Sequence, residues 1–177
     1  MSDEQARYQV RFEWGVAGAK AVGSDADVII WVDTLGGAPA SLLDELPKSP
    51  GVVVTGLASA QAVANWVVDE QVRLGRRFAT AVIAAGKTRE DSLRFAVEDQ
   101  LAAGAVIERL STLGLDATSP EAAVAEASYR SLSRAIGHLI TASTSVVNDG
   151  VVPATQQLHI DPNARVHQEC ILRKIPD

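Results

Sequence analysis

The chain has 177 residues, 47% of them hydrophobic and 21% charged, with a formal net charge of −6. This is the make-up of a globular domain large enough to bury one core. The acidic balance and the lack of a Lys/Arg cluster argue against sequence-independent nucleic-acid binding, which needs a basic surface, though not against a basic pocket for one small anion. No apolar run approaches the roughly 20 residues of a membrane span, and Met1-Ser2-Asp3-Glu4-Gln5 does not read as a signal peptide. The single cysteine, Cys170, has no partner for an internal disulfide and reads as a small buried hydrophobe. A cytoplasmic protein without nucleic-acid or membrane partners is expected.

Tyr8, Val10 and Phe12 alternate with Gln9, Arg11 and Glu13, the period of a strand with one wet face. Asp27 to Asp33 is a nearly continuous apolar run between carboxylates, suited to a central strand covered on both faces. Val52–Thr55 and Phe78–Ala85 repeat that pattern, and His167 to Ile175 is a further, irregular strand candidate. Between the strands the period becomes helical. Ala60, Val63, Ala64, Val67, Val68 and Val72 form one stripe, and Leu93, Val97, Leu101, Gly104 and Ile107 form a second, predicting helices over 59–74 and 91–107. Ser119-Pro120-Glu121 starts a third helix, which runs toward the stop signal Asn148-Asp149-Gly150 with a break near Gly137. Strands alternating with helices predict a single α/β domain over residues 1–177, with a largely parallel or mixed sheet and helices packed on it. The edges of a small open sheet suggest a homodimer.

None of the strongly specific catalytic motifs is present, and His138, His159 and His167 lack metal-ligand spacing. Trp14, Trp31 and Trp66 read as core. Position is the remaining guide, because ligands of parallel sheets bind beyond the carboxyl ends of the strands. That rule selects Glu13-Trp14-Gly15, Asp33-Thr34, Thr55-Gly56 and Gly86-Lys87. Asp33 suits a hard cation such as magnesium, or equally a cap or salt bridge at the strand end. Glu98 and Asp99 lie on the second helix about 100° apart, so the pair reads equally as a wet helix face.

Several segments, taken in order, resemble the 2-phosphosulfolactate phosphatase family, the magnesium-dependent acid phosphatases of coenzyme M biosynthesis and their bacterial relatives. They are Val10-Arg11-Phe12-Glu13-Trp14-Gly15, the run from Ala26 to Leu35, Ala81 to Gly86, Val97 to Ile107, and Ser119-Pro120-Glu121-Ala122. The resemblance implies magnesium held by Asp33, Glu98 and Asp99, the three catalytic candidates, and hydrolysis of a phosphomonoester on a small acidic substrate. Thr55 and Lys87 are the candidates for contacting that small anionic molecule. The chain is shorter than the family pattern: Gly36-Gly37-Ala38-Pro39 stands where a Ser/Thr-rich loop is expected, and two further phosphate-gripping loops are missing before Val52. Lys87 replaces a carboxylate, and Thr141-Ala142-Ser143-Thr144-Ser145 lacks the cysteine and arginine of a later segment. The alternative is therefore a catalytically inactive relative that binds a ligand or a partner.

Overall fold

The computed structural model describes residues 5–176. Five strands form the main sheet in the order β1 (Val10–Trp14), β4 (Thr80–Ala84), β2 (Val28–Val32), β3 (Gly51–Thr55) and β7 (Ile171–Arg173). The first four are parallel; β7 closes one edge antiparallel to β3. The protein is thus a single α/β domain with a mixed sheet, as its alternating periods predict. Helices α1 (Gly15–Val22), α2 (Leu42–Glu45), α3 (Ala60–Leu74), α4 (Val97–Thr112) and α5 (Pro120–Leu132) surround it, followed by the short α6 (Ile136–Thr141) and α7 (Thr144–Val147). Among the described residues, no helix is long and apolar enough to cross a membrane.

The apolar run of β2 is buried throughout, and its side chains divide by strand period. Ile29 and Trp31 pack with Ala19 and Val22 of α1 and Leu42 of α2. Val28, Ile30 and Val32 face the larger core under α3, α4 and α5. The chain leaving β1 and β2 therefore turns to one face of the sheet, while the chain leaving β4 reaches α4 on the other. Such divergence opens a crevice at the carboxyl edge.

Four expectations change. The second face of β1 is not wet: Arg11 is 2% exposed. Its guanidinium pairs with Asp25 and donates to the carbonyls of Ala6, Tyr8 and Val22, so all five N–H groups are spent. The expected helix over 91–107 begins only at Val97, because β5 (Lys87–Arg89) and β6 (Ser92–Arg94) form a hairpin instead. Its two-residue turn places Glu90 and Asp91 at φ 47° and 61°, the left-handed geometry that tight hairpins require. The helix capped by Ser119, whose hydroxyl oxygen accepts from Ala122 N, breaks at a 3₁₀ turn over Ser133–Ala135 and again at Ser143, which caps α7. Cys170 is half-buried and free rather than core.

Candidate functional site

The turn after β2 is built by Asp33. Its Oδ1 accepts from Gly36 N (2.6 Å) and Leu35 N (3.3 Å), folding residues 33–36 back on the strand end. The chain leaving β4 turns at Gly86, at φ 67°, into Lys87. There Lys87 Nζ lies 3.9 Å from Asp33 Oδ1, with the two side chains 25% and 10% exposed. A Cβ on Gly36 would fall 2.7 Å from Asp33 Oδ2 and 3.0 Å from Lys87 Nζ, so the backbone passes close over this pair.

Asp33 and Lys87 border a cleft of about 600 Å³. One wall is the segment from Gly36 to Glu45, the other is the β5–β6 hairpin, and the start of α1 at Gly15 and Val16 closes the end. Its charged lining is Asp33, Glu45 and Asp91 against Lys87.

Behind the cleft, α4 begins with Ala96 at its N-cap, which offers no side-chain acceptor. Asp99, in the first turn, sends its carboxylate across to two loops: Oδ1 accepts from Thr34 N (2.9 Å) and Oδ2 from Gly86 N (3.0 Å). One buried side chain thereby ties together the loops that carry Asp33 and Lys87. Burial, then the negative charge of Asp33 and more weakly that of Glu98, raise the Asp99 pKa to about 8, although the two amide hydrogen bonds oppose the shift. Glu98 is 1% exposed, and neither of its carboxylate oxygens has a hydrogen-bond partner. Its backbone carbonyl accepts from Thr34 Oγ1 at 3.1 Å. Thr55 is buried, with its hydroxyl donating to the Gly56 carbonyl at 3.2 Å.

Of the five candidates, then, Asp33 and Lys87 come together in the cleft. Asp99 supports their loops from behind, and Glu98 and Thr55 are buried off the cleft lining. Far from forming a wet helix face, Glu98 and Asp99 are both buried, because the first turn of α4 is covered by the loop after β2. Among the described residues, no group of three or more His, Cys, Asp or Glu side chains is placed to hold a metal ion. Asp33, Glu98 and Asp99 thus do not form a three-carboxylate cage, since both Asp99 oxygens are engaged by backbone amides. Magnesium does not need one: it commonly takes one or two carboxylates and completes its shell with water and substrate phosphate. Of the three, only Asp33 lines the cleft, and it alone is open to a cation held in that way.

Sequence reasoning missed the cleft lining contributed by Glu45, Asp91 and Leu93. The Glu90-Asp91 pair between two short polar segments was the available signal for the hairpin. Fold and site together define an open α/β protein with an acidic cleft at the carboxyl edge of its parallel strands. In comparisons with known proteins, the chain matches no family model and has no significant match among curated proteins.

Proposed function

We propose that the cleft binds a small phosphorylated acid together with magnesium and hydrolyses its phosphomonoester, in the manner of the phosphosulfolactate phosphatases that the sequence resembles. The observation that carries this reading is charge. Three carboxylates line the cleft against one ammonium, so a phosphate enters favourably only with a cation. Magnesium held at Asp33 would supply charge neutralisation and a template for an attacking water. Lys87 contributes fixed positive charge to the phosphate oxygens where charge builds up in the transition state. Asp99 is a positioning residue: through Thr34 N and Gly86 N it sets the distance between Asp33 and Lys87. In the reaction a water oxygen bonds to phosphorus, the ester P–O bond breaks, and the proton released by that water ends on the departing oxygen, giving the alcohol and inorganic phosphate.

A non-catalytic relative that binds the same ligand is the second reading. The seclusion of Glu98 and Asp99 from the cleft favours it. Phosphate release from a panel of phosphorylated hydroxy acids, with and without magnesium, separates the two. Magnesium-dependent release that falls at least about a hundredfold in Asp33→Asn is the expected result. Magnesium-dependent binding by calorimetry without release selects the second reading. Neither release nor binding refutes both.

A further inference from the structure

The shape of the cleft bears on what it holds, an argument that rests on the phosphate-and-magnesium reading of the same site. Its charged residues lie alongside an apolar surface. Val16 and Ala38, both partly buried, line the wall below α1 and α2, over the buried Trp31 and Leu42 of the same hydrophobic cluster. Facing them, Leu93 of the hairpin leaves 43% of its surface exposed. The volume, about 600 Å³, is within the range of pockets that hold drug-sized ligands and equals roughly 20 waters. A two- or three-carbon phosphorylated acid would leave most of it to water against apolar side chains.

We propose that the cleft selects a phosphate monoester with an apolar body, of aryl or branched-alkyl size, seated between Leu93 and the Val16–Ala38 wall. The phosphate lies at the Asp33–Lys87 end and the body displaces water from the apolar end. Leu93 is then a specificity residue. Its exposure on a polar hairpin, where the alternating residues Ser92 and Arg94 are hydrophilic, has a function in that arrangement.

The test uses hydrolysis-resistant probes: methylphosphonate, phosphonoacetate and benzylphosphonate, titrated by calorimetry into the protein in magnesium chloride. Benzylphosphonate is expected to bind at least about tenfold tighter than methylphosphonate, equivalent to roughly 1.4 kcal/mol, and tighter than phosphonoacetate. Leu93→Ser is expected to erase most of the benzyl-to-methyl ratio. A larger naphthylmethyl probe gives the same readout on the unaltered protein, where affinity should rise again. Phosphonoacetate binding as tightly as benzylphosphonate would overturn the apolar-body proposal and leave the magnesium-phosphate reading intact. Failure of every probe to bind in the presence of magnesium would overturn both.

Discussion

Replacing Asp99 by asparagine tests the electrostatics of the site through folding stability. With a folded-state pKa of about 8 against 3.8 in the unfolded chain, Asp99 keeps its proton in the native protein between these values while the unfolded chain has lost its own. The unfolded state therefore binds fewer protons, and stability falls as pH rises through this window. The contribution is fully present below about pH 4 and gone above about pH 8. At roughly 1.4 kcal/mol per unit it amounts to something on the order of 5 kcal/mol. The substituted amide does not titrate. It could accept from only one of the two backbone amides, Thr34 or Gly86, and would turn its own N–H₂ on the other, at a cost of about 1–3 kcal/mol. The variant should thus be less stable than the parent below about pH 5, cross it between about pH 5 and 6, and exceed it by about 3 kcal/mol at pH 8. Urea unfolding of the metal-free protein across pH 4.5–9 measures this directly. A stability difference that stays constant over that range would show that Asp99 does not hold its proton in the native state.

Two further substitutions probe features that the proposed reaction does not use directly. Glu98→Gln removes a buried charge whose oxygens have no hydrogen-bond partner. It should raise stability at pH 7 by about 1–3 kcal/mol, visible as a higher Tm in magnesium-free buffer, whereas a lower Tm would mean that the carboxylate is satisfied within the protein. Gly104 lets α4 and α5 touch: a Cβ there would lie 2.2 Å from the Ala125 carbonyl oxygen and 2.8 Å from Tyr129 Cβ. Gly104→Ala should cost about 3 kcal/mol by forcing the two helices apart, and a variant with the parent's Tm would refute that account of the contact.

The parts of the protein legible in its sequence are those governed by local periodicity. The unbroken apolar run from Val28 to Val32 could be satisfied only by cover on both faces, and it lies at the centre of the sheet. The stripe from Ala60 to Val72 could be satisfied only by one buried helix face, and it is buried as far as Val67, whereas Val72 in the last turn is 74% exposed; Ser119-Pro120 began a helix by its own capping chemistry. The place of Asp33 was legible for the same reason, because a carboxylate ending a buried parallel strand must emerge at the carboxyl edge of the sheet. Period alone could not distinguish Leu93 as a hairpin residue from Leu93 as the first turn of a helix, since its spacing to Val97 suits both. The left-handed turn at Glu90-Asp91 decided it. Nor could sequence reveal that Arg11 is buried, because its partners come from chain positions brought together only by α1 and the segment before β1. The site itself was a tertiary matter. Whether Glu98 and Asp99 face a ligand or backbone amides depends on how α4 rotates against the loops after β2 and β4. That rotation, fixed by core packing, turned two expected metal ligands into a clamp and a buried, unpartnered carboxylate.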